Sequence, residues 1–370
     1  MRIGVNLLYL IPGVVGGTET YATGLLHGFS LLNDETEFVV FVNQEATSWR
    51  IPSTGRFRRI VCDVDGTSRI RRYAYEQFTL HRLLGEHRID ILHSLGYTAP
   101  LRGVSKSIVT IHDLNYHAFG NQLPFVRRIA LGWFVERAAK SVDHVITVSH
   151  FSKGEITKIL GIPDEKVTVT YEAPHPYRNC EAGKSDTIVV NEPYWVAFSS
   201  ESPNKNLGCL LQAMQRIRAV HGVKTKLVLI GHMPKDPTIR SMIAEGIVTT
   251  GFLDDEKVSK MLSEAQLLIF PSKYEGFGLP VVEAMACGVP VVCSNAASLP
   301  EIAGTAAVFF DPSNIEQMAE AIVLVANSRE LQNELREKGF INAAQFSWEK
   351  TAVETLGVYR QVLTSDTVRG

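Results

Sequence analysis

Glu275-Gly-Phe-Gly-Leu-Pro280-Val-Val-Glu283 is the stretch on which the fold turns. It follows a short apolar run, Leu267-Leu-Ile-Phe270, and leads into Val281-Val-Glu-Ala-Met-Ala-Cys287, which stops at Gly288. The short run reads as a buried strand and the segment after Pro280 as a helix. Proline suits the first helical turn, where its missing N–H has no partner to lose, and glycine supplies a left-handed stop. A strand that delivers a glycine loop onto a helix N-terminus makes an anion cradle from backbone N–H groups and the helix dipole. Glu275 and Glu283 set a carboxylate on either side of that cradle. A ligand carrying both phosphates and hydroxyls fits such a site, and a nucleotide-sugar has both.

Working outward, short apolar runs alternate with longer amphipathic segments along the whole chain, the pattern of a parallel α/β fold. Strands are expected at 2–6, 38–42, 58–62, 89–93, 106–111, 144–148 and 167–170 in the first half. In the second half they are expected at 194–198, 226–230, 247–249, 267–270, 289–293 and 308–310. A proline- and charge-rich stretch runs from Ala173-Pro-His-Pro-Tyr177 to Glu192-Pro193. It is the natural boundary, giving a first domain at 1–178, a linker at 179–193, a second domain at 194–350 and a terminal helical segment at 351–370 that can pack back on the first. Two doubly wound sheets facing one another would bind a ligand in the cleft at their strand ends.

Composition narrows the function classes. At 370 residues the chain suits two domains, and 45% hydrophobic with 21% charged residues is ordinary for a soluble protein. The balance of 37 basic against 39 acidic side chains leaves a net charge of −2, which does not argue for nucleic acid. Cys62, Cys180, Cys209, Cys287 and Cys293 are scattered, with no C-x-x-C pair, so reduced thiols in a cytoplasmic protein are expected. The N-terminus reads as a strand rather than a signal peptide, and no apolar run approaches the roughly 20 residues of a membrane span.

Several other constellations carry chemistry. Gly13-Val-Val-Gly16-Gly17-Thr-Glu19 lies between a strand and a helix, where glycines let backbone approach a diphosphate, although a plain tight turn reads equally well. His112, in Ile111-His112-Asp113, ends a strand and could hydrogen-bond a sugar hydroxyl or a forming oxyanion; a histidine satisfied in a loop is the plainer alternative. Lys205, in Pro203-Asn-Lys205-Asn-Leu207, stands where the helix dipole disfavours a cation, which hints at an anionic partner such as a leaving diphosphate. Asp63-Val-Asp65 is a possible divalent-metal pair, but it lacks a third ligand and reads as chance. The basic stretches Arg69-Ile-Arg-Arg-Tyr-Ala-Tyr75 and Arg127, Arg128, Arg137, Lys140 could rest on anionic lipid, or be solvated helix faces.

Taken together these residues resemble the family-four retaining glycosyltransferases, whose GT-B fold consists of two facing Rossmann-like domains with a donor-binding cleft between them. Glu275-x7-Glu283 matches the family's E-x7-E motif, and Pro203-Asn-Lys205-Asn-Leu is similar to its P-R-K-N-L segment. Thr147-Val-Ser149-x-Phe-Ser152 and Leu299-Pro-Glu301-Ile resemble further family blocks. The resemblance implies that Glu283 binds ribose, Glu275 the donor hexose, Lys205 the diphosphate, and that His112 lines the sugar pocket. Gly16, Gly17, Ser200, Gly231, Phe252, Phe277, Gly278, Leu279 and Val282 would complete the donor contacts. It also implies no metal and no cofactor beyond the nucleotide-sugar co-substrate, and a saccharide or lipid-linked acceptor. Two departures stand out: Asn204 and Ser200 occupy positions where the family commonly has arginine. A nucleotide-sugar epimerase and a non-catalytic nucleotide-sugar-binding subunit are the rival readings.

Overall fold

A computed structural model describes residues 1–102, 106–119, 125–176 and 192–365, with the side chains of 125–130 outside the description. The chain divides into two compact units, Met1–Glu172 together with the segment from Ser347, and Ala173–Phe346. Most of the expected linker, with Cys180, lies outside the described residues.

The first unit holds strands β1 (Arg2–Leu7), β2 (Glu37–Val42), β3 (Phe57–Val61), β4 (Ile91–Ser94), β5 (Ser107–Thr110), β6 (His144–Thr147) and β7 (Val167–Val169). The second holds β8 (Tyr194–Phe198), β9 (Lys226–Ile230), β10 (Ile247–Thr249), β11 (Leu267–Phe270), β12 (Val291–Ser294) and β13 (Ala307–Phe310). Every strand expected from the sequence is present, with ends shifted by one or two residues at most. All neighbours pair in parallel, in the orders β3-β2-β1-β4-β5-β6-β7 and β10-β9-β8-β11-β12-β13.

In each sheet the chain starts in the middle, walks to one edge, then crosses back and builds the other side. That reversal creates a switch point, between β1 and β4 in one sheet and between β8 and β11 in the other. Loops leaving the strand ends there diverge and open a crevice for ligands.

Helices cover both faces of the second sheet, and the strands show it by alternation. Trp195, Ala197, Leu267 and Ile269 pack on one face with Leu210, Met214 and Ile322 of the helices Leu207–His221 and Ile315–Asn327. Tyr194, Val196, Leu268 and Phe270 pack on the other with Val258, Met261, Val281 and Met285 of the helices Asp255–Ser263 and Leu279–Ala286.

The last helix, Trp348–Thr364, belongs to the first unit and lies along the helix Gly17–Leu31. A Cβ at Gly28 would stand 2.1 Å from the Trp348 carbonyl oxygen, and one at Gly24 2.0 Å from its ring, so only glycine admits this close approach. Thr351 Oγ1 donates to the Tyr171 carbonyl at 2.6 Å, and Arg360 pairs with Asp34 at 2.8 Å.

Cys62, Cys209 and Cys293 are free thiols, and burial pushes Cys62 up to about 11. Cys287 is disulfide-bonded, which corrects the expectation that all five cysteines are reduced. Scattered spacing says nothing about which thiols a fold brings together. Among the described residues no helix is long and apolar enough to cross a membrane.

Candidate functional site

At the β8/β11 switch point the loop after β8 is sewn to the loop after β11 by two asparagines. Pro203–Lys205 forms a single 3-10 turn, and Asn206 follows in the left-handed region at φ 58° as the next helix begins. Asn204, only 5% exposed, donates Nδ2 to the Tyr274 carbonyl at 2.9 Å, and its own carbonyl accepts from Lys273 N at 2.7 Å. Asn206 Nδ2 reaches the carbonyls of Pro271 at 3.1 Å and Pro312 at 2.7 Å. Lys205 is held between these anchored residues. Its Nζ meets Glu275 Oε1 at 2.7 Å and lies 5.4 Å from the centre of the Phe270 ring. The two side chains are 27% and 12% exposed, so solvent and solutes reach the pair. Where relatives commonly carry arginine, Asn204 is a buried stitch that aims Lys205.

The glycine loop is fixed from behind. Ser298 Oγ donates to the carbonyls of Glu275 at 3.0 Å and Phe277 at 2.8 Å. Gly278 then caps the helix Leu279–Ala286 at φ 109°, with no side-chain cap, so the dipole of this end is not met by a capping oxygen. A Cβ at Gly278 would stand 2.7 Å from Leu299 Cδ2, so both conformation and space demand glycine. The helix ends as the sequence predicts, with Gly288 N on the Met285 carbonyl at 3.0 Å and Val289 N on the Ala284 carbonyl at 2.9 Å.

The other expected donor contacts fall around this centre. Glu283 is the fifth residue of the helix and is 5% exposed. Phe277 and Val282 are buried side chains, Phe277 meeting Phe346 edge-on with ring centres 5.5 Å apart. Any part these two play in binding falls to their backbone. Leu279 is half-buried in the first turn. Ser200 Oγ accepts from Ser202 N at 3.2 Å within the loop after β8. Gly231, following β9, pairs with Gly251, which donates to its carbonyl at 3.0 Å, and Phe252 projects beyond them with 67% of its surface exposed.

In the first unit the loop after β1 reaches Gly16, which caps the helix Gly17–Leu31 at φ 62° without a side-chain cap. Glu19, from that helix's first turn, accepts from Gly13 N at 2.8 Å and from Trp49 Nε1 at 3.1 Å. The Gly16-Gly17 loop thus already holds a carboxylate of its own.

His112 lies two residues past β5 and is 6% exposed. Nε2 is 3.2 Å from the Leu95 carbonyl, and Nδ1 is 3.1 Å from Glu172 Oε1. A carbonyl can only accept, so Nε2 carries a hydrogen, and Nδ1 faces the Glu172 carboxyl. Thr147 Oγ1 donates to the Ile111 carbonyl at 2.7 Å and Ser152 Oγ to the His112 carbonyl at 2.9 Å, clamping the backbone on both sides. Tyr21 stands edge-on to the imidazole with ring centres 4.8 Å apart. Asp113 shapes the next turn, accepting from Asn115 N at 3.0 Å.

Glu172, Asn206 and Ser298 went unread in the sequence. So did Glu76, a buried carboxylate under the β1/β4 switch point that accepts from Asn6 Nδ2 at 2.5 Å and Thr98 Oγ1 at 3.1 Å. Burial raises its pKa above the usual carboxylate value. Asp63 and Asp65 serve neighbours instead, Asp63 accepting from Gln44 Nε2 at 2.7 Å and Asp65 from Thr67 N at 2.9 Å. Among the described residues no three His, Cys, Asp or Glu side chains gather as metal ligands.

Residues 15–173 match the family described as Glycosyltransferase Family 4, and residues 184–341 match Glycosyl transferases group 1. The O-antigen chain mannosyltransferase B of Escherichia coli is 28% identical over 289 residues, 75% of this chain and 76% of its own. Sucrose-phosphate synthase from Thermosynechococcus elongatus superimposes with a TM-score of 0.76 at 17% identity, over 99% of this chain and 100% of the other. Anabaena HepE, solved with UDP-glucose, gives 0.70 at 16% identity over 97% of this chain and 100% of its own. At those identities the two structures speak for the fold. With both halves matched, the chain belongs to the group 1 glycosyltransferases, family four, and has their GT-B fold.

Proposed function

We propose that this glycosyltransferase moves a hexose from a nucleoside-diphosphate sugar to a hydroxyl of a saccharide or lipid-linked acceptor. Transfer retains the anomeric configuration, needs no metal ion, and serves assembly of a surface polysaccharide or glycoconjugate. The observation that carries this reading is the 2.7 Å contact of Lys205 with Glu275 at the β8/β11 switch point. A cation and a carboxylate that neutralise each other, partly exposed beside an uncapped helix, are a matched pair of receptors for a diphosphate and for sugar hydroxyls.

On donor binding the pair separates. Lys205 Nζ turns to the diphosphate, and Glu275 accepts from the hexose hydroxyls. Glu283 accepts from the ribose, and the first-turn N–H groups beyond Gly278 hold phosphate oxygen. The bond from the anomeric carbon to the diphosphate oxygen breaks with its electron pair going to phosphate, and Lys205 meets that growing charge. The acceptor oxygen bonds to the anomeric carbon on the face the diphosphate leaves, and its proton passes to the departing phosphate oxygen. His112, oriented by Glu172, is the group of the first unit able to hydrogen-bond a sugar hydroxyl. The Escherichia coli relative's name favours a mannose donor, and HepE, solved with UDP-glucose, makes that donor the second to try.

Thermal-shift screening of mannose and glucose nucleotides identifies the donor, because a specific ligand stabilises by mass action. The chosen donor is then incubated with a saccharide acceptor, with and without EDTA. Nucleoside diphosphate release is measured, and the product's anomeric configuration is read by NMR. Retention with unchanged rate in EDTA is expected. Inversion or loss of activity in EDTA overturns the corresponding part. Sugar conversion without acceptor, or binding without turnover, overturns transfer itself.

A further inference from the structure

We propose that Lys273 is a second cation for the donor diphosphate, doing from another loop the work of the arginine that relatives commonly carry at positions 200 or 204. Its role rests on the donor reading given above. Charge balance sets the need. Lys205 is neutralised by Glu275 at 2.7 Å, and Glu283 brings a further carboxylate to the helix that follows. A nucleotide-sugar adds a negative charge on each phosphate, and more develops on the outer one as the bond to the sugar breaks. The uncapped end of the helix Leu279–Ala286 offers only a partial positive charge against this.

Neither residue at the relatives' arginine positions can answer that charge. Ser200 Oγ accepts from Ser202 N at 3.2 Å within its own loop, and Asn204 is buried with its amide on the Tyr274 carbonyl. The stitching that aims Lys205 also places Lys273. The Asn204 carbonyl accepts from Lys273 N at 2.7 Å, and Asn204 Nδ2 donates to the carbonyl of the next residue, Tyr274, at 2.9 Å. The stretch from Ser272 to Glu275 is therefore tied to the turn that carries Lys205. Burial alternates along it: Ser272 is 1% exposed and Tyr274 6%, whereas Lys273 is exposed and Glu275 half-buried. Ser272 and Tyr274 point inward, and Lys273 leaves the fold as Glu275 does.

The other lysines around these strand ends are taken. Lys205 has Glu275, Lys235 has Glu201 at 3.8 Å, and Lys257 has Asp254 at 2.8 Å. Among the described residues the Lys273 ammonium has neither a carboxylate nor a hydrogen-bond acceptor. A lone surface lysine is ordinary, but this one is fastened through its own backbone N–H to the residue that aims the site's other cation. An ammonium on a flexible four-carbon stem acts as a point charge and can swing to a phosphate oxygen, without the fixed fork an arginine would need to align.

The test separates the two phosphates. Calorimetry measures binding of GDP against GMP and of UDP against UMP to the full chain, in wild type, Lys273→Gln and Lys273→Arg. For the base that binds, Lys273→Gln should weaken the diphosphate by about ten-fold or more, the worth of a charge-assisted hydrogen bond, and leave the monophosphate within about two-fold. Lys273→Arg should keep the diphosphate affinity, and donor kcat/KM should follow the same order. Position 273 is solvent-facing, and unchanged circular dichroism confirms that the variants fold. Equal diphosphate affinity in wild type and Lys273→Gln overturns the proposal. So does an equal loss for monophosphate and diphosphate, since the cation would then act on the inner phosphate or on the fold. A wild-type chain that binds none of the four nucleotides overturns the donor reading itself, and the role of Lys273 falls with it.

Discussion

The two halves of this chain share a topology and each sets an acid beside a base at its strand ends, yet the two pairs are built for different work. Lys205–Glu275 sits on loops with 27% and 12% of its side chains exposed, and Phe270 is its apolar wall. His112–Glu172 is 7% and 6% exposed, with the backbone on either side clamped by Thr147 and Ser152. An exposed ion pair contributes little to stability, because water competes for both partners, whereas a buried one that loses a partner leaves an uncompensated group behind. The pair in the second unit is free to change partners, and the pair in the first is locked in place.

That contrast breaks most visibly at Glu172. Glu172→Ala should destabilise the protein by about 3–5 kcal/mol, the usual cost of stripping one partner from a buried pair. Glu172→Gln should recover most of it, because the amide N–H can donate to Nδ1 while Nε2 still donates to Leu95. Chemical denaturation measures both. Equal stability of the Ala variant and wild type would mean that His112 is held by its neighbours alone.

Lys205→Ala probes the other side. It should lower kcat/KM by a factor of about 10²–10³, the typical cost of losing one preorganised donor to a transition-state oxyanion. Its melting temperature should move less than that of Glu172→Ala, since solvent reaches the pair. A variant that melts early and keeps its turnover would reverse the division of labour between the two units.

Asn204→Ala sharpens the distinction between a group that reacts and one that aims. It removes the donor to the Tyr274 carbonyl and should cost about 1–3 kcal/mol for the buried acceptor left unsatisfied. Activity should fall as well, through a Lys205 no longer held against Glu275. Asn204→Arg should not raise activity, because the side chain at this position is directed into the fold rather than toward a ligand.

How far these features were legible follows from their range along the chain. The strands announce themselves as local apolar runs, and the Glu275–Glu283 loop carries its own strand, glycine turn and proline start within a few residues. Lys205 was visible because a cation at a helix start is locally anomalous. Glu172 was not, since it lies 60 residues from His112 and ends the first unit in an unremarkable Tyr-Glu-Ala. The role of Asn204 was hidden for a related reason. Its partner carbonyl at Tyr274 lies 70 residues away, so sequence reported only that an arginine was lacking. Local chemistry is written locally, and support arriving from other strands is not.

The smallest effect concerns how the first unit borrows its support from the last helix. His93 is fully buried, with Nδ1 2.7 Å from the Tyr359 hydroxyl on that helix and Nε2 2.8 Å from Thr110 Oγ1. Thr110 Oγ1 in turn lies 3.4 Å from the hydroxyl of Tyr21, the residue whose ring packs against His112. Burial first, then the neighbouring His112, lowers the His93 pKa from 6.5 to about 3. Between those two values the unfolded chain binds a proton that the folded chain refuses, so stability present at neutral pH is lost as pH falls, by up to about 1.4 kcal/mol per pH unit. Glu76 acts with the opposite sign: its raised pKa gives stability at low pH that is lost as pH rises through the folded value. If His93 dominates, wild-type melting temperature declines on acidification from about pH 6.5 to about pH 5, and His93→Gln flattens that decline. Parallel curves for the two proteins would show that protonation at this position does not loosen the terminal helix. A flattened curve would mean that acid acts on the first unit at His93, whose Nδ1 holds the last helix through Tyr359 and whose Nε2 leads through Thr110 and Tyr21 toward the locked pair.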